Sequence, residues 1–147
     1  MEIQSVNILK FQSGKVIIYP LRTIKHKGSY AIPPYIVTHD ITYEELAELL
    51  KTTLNFSGIG ISPPHATENF YHKDNIKITG IRNSKMMHDK SMHIGVYTKD
   101  DQYHISPSVN KGSRLGFVYG KENISIPLGS SIDELAMALK EAFDKSS

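Results

Sequence analysis

Between Ser91 and Ser106 the chain reads SMHIGVYTKDDQYHIS. Met92, Ile94 and Val96 alternate with His93, Gly95 and Tyr97; beyond Lys99-Asp100-Asp101, Tyr103 and Ile105 alternate with His104 and Ser106. Alternation with period 2 marks a strand with one buried face and one wet face. Read as a two-residue hairpin loop, Asp100-Asp101 sets Lys99 opposite Gln102 and Tyr97 opposite His104. That register gathers Met92, Ile94, Val96, Tyr103, Ile105 and Val109 on one side of a sheet. A slip of one residue would turn all of them outward.

The same pattern continues downstream. Leu115, Phe117 and Tyr119 precede a turn at Gly120-Lys121-Glu122-Asn123, and Ile124, Ile126 and Leu128 follow it. The two runs predict a second strand pair, hence a C-terminal four-strand meander. Ser131 with Glu134 has the spacing of a capping box. Leu135, Ala138, Leu139 and Ala142 then recur at helical spacing, so a helix over 131–144 is expected to cover one face of the meander.

Upstream, Ile3, Val6, Ile8 and Phe11 predict a first strand and Val16 to Tyr19 a second, joined at Gln12-Ser13-Gly14. Pro20 is expected to end that second strand. Residues 22–34 read as a long polar connection, with Pro33-Pro34 opposed to regular pairing, and Tyr35-Ile36-Val37 as a short strand. Thr42 and Glu45 form another capping box, and Leu46, Leu49, Leu50 and Leu54 a helical stripe, predicting a helix over 42–55. Ile59-Gly60-Ile61 is too short to assign. Ile76, Ile78 and Ile81 suggest an extended piece, and Asn83 to Asp89 a loop or one helical turn. The fold class is α+β: a mostly antiparallel sheet, made of an N-terminal hairpin and the meander, covered by the two capped helices.

A chain of 147 residues is long enough for a substantial core and is expected to form one domain over 1–147. A formal charge of +2 does not argue for nucleic acid, and arginine, the usual reader of phosphate and base edges, occurs only at 22, 82 and 114. The absence of cysteine excludes disulfides and thiolate metal sites and suits a reducing, cytoplasmic setting. The first ten residues lack an apolar signal core, and no apolar run approaches a membrane span.

The seven histidines, at 26, 39, 65, 72, 88, 93 and 104, form no tight ligand motif. His93 and His104 are expected on the wet face of the first hairpin. They stand four residues apart along the strands, roughly 13 Å, too far for one zinc. There is no G-x-S-x-G elbow, P-loop or dinucleotide fingerprint. Asp100-Asp101 and Glu44-Glu45 are explained by a turn and a helix start. No catalytic residue, cofactor or metal is assigned. What remains is polar and aromatic surface: Phe70, Tyr71, His72, Lys73 and Asp74 in one segment, Lys85, Met86, Met87, His88 and Asp89 in another. Such residues are enriched at protein interfaces, and Phe70, Met86 or Met87 could equally plug the core edge.

From Ile78-Thr79-Gly80-Ile81-Arg82-Asn83-Ser84-Lys85 onward the order of pieces is distinctive. It continues with the alternating pair ending in Ile105-Ser106-Pro107, then Gly116-Phe117, then Ile124 to Leu128, then the Ser-x-x-Glu-Leu helix ending in Ala142-Phe143. Over these roughly 70 residues the chain resembles the CdiI immunity proteins of bacterial contact-dependent growth inhibition. The resemblance implies a small cytoplasmic α+β protein, not an enzyme, that binds and neutralises the C-terminal toxin domain of a cognate CdiA effector. It implies a nuclease toxin and, in some complexes, a toxin β-hairpin added to the immunity sheet. It implies no direct contact with nucleic acid or membrane. The alternatives are a small enzyme with a histidine general base, or an interaction domain with another partner.

Overall fold

The computed structural model describes residues 3–60, 62–120 and 122–147. Glu2, the third residue of Ile59-Gly60-Ile61 and Lys121 of the expected turn thus lie outside the described residues. The fold is α+β, a mostly antiparallel sheet with helices on both faces. β6 (Ser91–Lys99) and β7 (Gln102–Ser106) pair as expected, with Lys99 opposite Gln102 and Tyr97 opposite His104. Asp100 and Asp101 adopt φ of 54° and 59°. Positive φ at both positions is the type I′ turn, whose twist suits a two-residue hairpin and which aspartate tolerates.

The N-terminal hairpin forms from β1 (Ser5–Phe11) and β2 (Lys15–Ile24). β1 lies between β2 and β6, so Ile8 stands opposite both Ile18 and Ile94. β2 does not stop at Pro20 as expected. The Pro20 carbonyl accepts from the Ile32 N–H at 3.1 Å. Its missing N–H falls where the neighbouring strand changes, so no ladder bond is lost. Arg22 to Ile24 then pair with β3 (Gly28–Ala31) on one side and with β5 (Gly58–Gly60) on the other. β4 (Ile36–His39) runs beside Lys15 to Ile18. Residues 22–34 are therefore strand and hairpin, not a long connection, and Pro33-Pro34 divides one edge into β3 and β4.

α1 (Tyr43–Leu54) and α4 (Ile132–Asp144) cover the first face, each opened by the expected capping box. Leu46, Leu50, Leu135 and Leu139 pack there on Ile8, Ile18, Ile94 and Ile105. Each such side chain contributes roughly 2 kcal/mol of burial.

The four-strand meander is corrected. β8 (Ser108–Asn110) and β9 (Phe117–Tyr119) form a separate two-stranded ribbon, and β10 (Ile124–Pro127) returns to pair with β7. Pro107 lies between β7 and β8, and its missing donor interrupts the ladder. The ribbon folds back over the second face of β6, fastened by the Ser108 hydroxyl, which donates to the His93 carbonyl. Val109 is thereby exposed on the ribbon rather than in the core, and Leu115 lies in the turn, 72% exposed.

The extended piece expected around Ile76 to Ile81 is instead α2 (Lys73–Thr79). His72 Nδ1 accepts from the Asp74 N–H at 3.3 Å, and Gly80, at φ 75°, supplies the left-handed residue that ends the helix. These caps override the β-branched spacing of the isoleucines. α3 (Ser84–His88) is the expected helical turn, opened by Asn83, whose side chain accepts from the Met86 N–H at 2.9 Å. Among the described residues no helix is long and apolar enough to cross a membrane.

Candidate functional site

The two segments singled out in the sequence meet. Both lie in the cover that α2, α3 and the ribbon place over Leu9, Ile17 and Tyr19, on the second face of the sheet. The Tyr71 hydroxyl approaches Met87 Sδ at 3.6 Å, joining them. Within the cover the ten residues divide. Phe70 is 5% exposed, with the rings of Tyr35, Tyr71 and Tyr19 at 5.1, 5.2 and 5.3 Å, so it is a core plug. Met86 and Met87 are half-buried beside it. His72 and His88 are half-buried and locally bonded. Tyr71, Lys73, Asp74, Lys85 and Asp89 face solvent.

Side chains satisfy much of the cover's main chain. The buried Asn75 amide donates to the Thr67 and Asn69 carbonyls at 3.1 and 2.7 Å. The Tyr35 hydroxyl donates to the Glu68 carbonyl at 2.6 Å. Glu68 accepts from the His65 N–H and from Arg22, at 3.1 Å, and these hold its carboxyl below the usual range.

The ribbon carries an arrangement that sequence reasoning missed. Phe117 is stacked between two imidazoles, His88 at 4.3 Å and His93 at 4.6 Å. His93 does lie on the same sheet face as His104, but the ribbon covers it to 5% exposure. The expectation that His93 faces solvent is therefore corrected. Burial, and then the neighbouring His88, lower its pKa to about 4. Tyr119 approaches His93 Nδ1 at 3.4 Å, and burial pushes its phenol up to about 12. The same ring explains Gly95, where an added Cβ would come within 2.9 Å of the Tyr119 hydroxyl. His104 is half-buried, stacked on Tyr97 at 4.8 Å and 2.9 Å from Ser125 Oγ. Among the described residues no group of three or more His, Asp or Glu is placed to hold a metal ion.

Beside the ribbon the second face lies open. A cleft of about 630 Å³ has Asn7, Leu21, Thr23 and Tyr97 among its walls and is bordered by Tyr119. The Lys111 N–H bonds the Gly116 carbonyl, so ladder alternation turns the N–H and C=O of Phe117 and Tyr119 away from β8. β9 is thus an edge with donors. The edge at β10 is poorer. Leu128 donates inward to Asp101, which leaves Ser125 and Pro127 facing out, and proline has no donor.

Charge is separated between the two sides. Residues 40–54 and 130–145, which hold α1 and α4, carry eight acids and three lysines. Residues 65–90 and 108–120, the cover of the second face, carry seven Lys and Arg against Glu68, Asp74 and Asp89. The formal +2 of the chain therefore hides an acidic layer at −5 and a basic cover at +4.

The sequence matches no protein-family model and no curated protein. Solved structures do share its architecture. One is a protein of unknown function from Neisseria meningitidis, 14% identical, with a TM-score of 0.76 over 99% of this chain and 96% of that one. Another belongs to the CdiA-CT/CdiI toxin and immunity complex from Yersinia pseudotuberculosis, 13% identical, with a TM-score of 0.73 over 100% of this chain and 99% of that one. The chain thus has, over its whole length, the fold of a chain found in a toxin–immunity complex.

Proposed function

We propose that this protein is an immunity protein of the CdiI type, a cytoplasmic inhibitor that binds the C-terminal nuclease toxin domain of a cognate CdiA effector. The observation that carries the reading is the full-length fold shared with a chain of a toxin–immunity complex. The fold-level likeness is joined by the order of sequence pieces from Ile78 to Phe143, which resembles the same family. The reading treats the chain as a binder and not an enzyme, with no metal or cofactor.

The proposed contact surface is the cover of the second face. Tyr71, Lys73, Asp74, Lys85 and Asp89 supply its exposed side chains, and Phe70, His72, Met86, Met87 and His88 hold them in place. A toxin β-hairpin pairs with the free edge of β9, above the open cleft, where main-chain bonds give affinity and neighbouring side chains give specificity. The test is co-expression with the toxic tail encoded by a gene immediately upstream. Growth rescue by this chain, with a one-to-one complex on purification, is the expected result. Full toxicity in the presence of folded protein would sink the proposal.

A further inference from the structure

The cover of the second face combines two properties that neither sequence segment shows alone. It is basic, and it exposes apolar side chains among its charges. Ile78 is 55% exposed on α2 beside Lys77, and Leu115 is 72% exposed beside Arg114. Tyr71 precedes both in the chain, also exposed, with Lys73 two residues on. α3 joins the ribbon directly, since the Asn110 amide donates to the His88 carbonyl at 2.8 Å and the Ser84 hydroxyl to the Ser113 carbonyl at 3.4 Å. The cations of α2, α3 and the ribbon thus belong to one continuous surface. Across the sheet, the layer of α1 and α4 is acidic.

We infer that the partner presents an acidic protein surface, with apolar side chains of its own, to the cover formed by α2, α3 and the β8–β9 ribbon. Charge complementarity fixes the sign of that surface, because like charges brought together would oppose docking. The exposed aliphatic side chains fix its class. Ile78 and Leu115 gain from burial against a protein but nothing from a phosphate backbone, which is held by charge and hydrogen bonds. The inference rests on the immunity reading and deepens it. A nuclease holds its substrate on a cationic surface, so an acidic docking surface lies elsewhere on the toxin. The complex accordingly leaves the toxin's nucleic-acid surface uncovered, and this chain inhibits from a second site.

Two charge-reversal variants separate the possibilities. One carries Lys73→Glu, Lys77→Glu and Lys85→Glu in the cover; the other carries Glu44→Lys and Glu48→Lys in the acidic layer. All five side chains are exposed, and none closes a capping box. Circular dichroism confirms that each variant is folded. Association with the purified toxin domain is then followed by stopped flow from low to high salt. The cover variant should associate 10- to 100-fold more slowly than the wild type at low salt, the difference closing as salt rises, and the acidic-layer variant should not slow. Slowing of the acidic-layer variant, with the cover variant unchanged or faster, would overturn the inference while leaving the immunity reading intact. A fluorescent oligonucleotide should still bind the toxin within the complex, and its displacement by this chain would overturn the second-site claim. If the wild-type chain formed no complex but its cover retarded that oligonucleotide, both readings would fall and the surface would be one for nucleic acid. No complex and no retardation would sink both readings as well.

Discussion

Leu139→Ala tests whether α4 holds the fold together or merely lies on it. Leu139 is fully buried, packed in the cluster that joins α1, α4 and the sheet. Truncation to alanine removes three buried carbon atoms, and at about 0.8 kcal/mol each the transfer loss is roughly 2.4 kcal/mol. A cavity term adds to this, because sheet and helices on either side cannot close fully around the gap; the total should reach about 3 to 4 kcal/mol. Met137, half a turn away on the same helix, is 72% exposed, so Met137→Ala should change stability by less than about 0.5 kcal/mol. Urea unfolding of the three proteins measures both values, with the slope of the transition checked for constancy. A loss below about 1 kcal/mol for Leu139→Ala would refute the packing argument. So would an equal loss for Met137→Ala, because burial would then not be what distinguishes the two positions.

Three further outcomes follow. Ser131→Ala removes the side chain that accepts from the Glu134 N–H at 3.1 Å, and should cost about 1 kcal/mol in the same unfolding assay. The folded pKa of His93, about 4, lies below the ordinary value of 6.5, so the unfolded chain binds a proton that the folded chain refuses. Its stabilisation is therefore complete above pH 6.5 and falls, by up to about 3 kcal/mol, as the pH drops from 6.5 to 4; comparing urea midpoints at pH 7.5 and 5 should show a loss that His93→Phe diminishes. In the proposed complex, Tyr119→Pro should weaken toxin binding well beyond Tyr119→Ala, since only proline also removes the outward N–H of β9; equal losses measured by calorimetry would exclude main-chain pairing at that edge.

What could be read from the sequence was what local chemistry settles. The Asp100-Asp101 loop fixed the register of β6 and β7, and two capping boxes fixed α1 and α4. What could not be read was the choice of partner among strands that share the same period. Phe117 and Ile124 both alternate correctly, yet one strand folds over the sheet and the other joins its edge. No local feature distinguishes them, because the choice depends on the path after Pro107 and on what His93 and Gly95 offer the incoming rings. The candidate surface was legible as two segments rich in aromatic, methionine and histidine residues. Their meeting, the core role of Phe70 and the burial of His93 were not, since each depends on partners distant in sequence: Met87 for Tyr71, Tyr19 and Tyr35 for Phe70, and the ribbon for His93. Likewise the formal +2 concealed the separation of charge, because a sum has no direction.

The two faces of the sheet differ in how they are held, and this bears on which one can recognise a partner. On the first face, helices of 12 and 13 residues bury leucines side by side, and an exchange there costs stability directly. On the second, α2 has 7 residues and α3 has 5, too short to persist alone. They are fixed by a few inward groups, the rings of Phe70 and Phe117, Ile81, and the amides of Asn75 and Asn110. Because those anchors point inward, the outward positions between them, Lys73, Ile78 and Lys85, carry almost none of the stability. On the proposed immunity reading, a lineage matched to a changing toxin needs such an arrangement. Side chains can be exchanged at the surface while the main chain that presents them stays where Phe70 and Asn75 hold it.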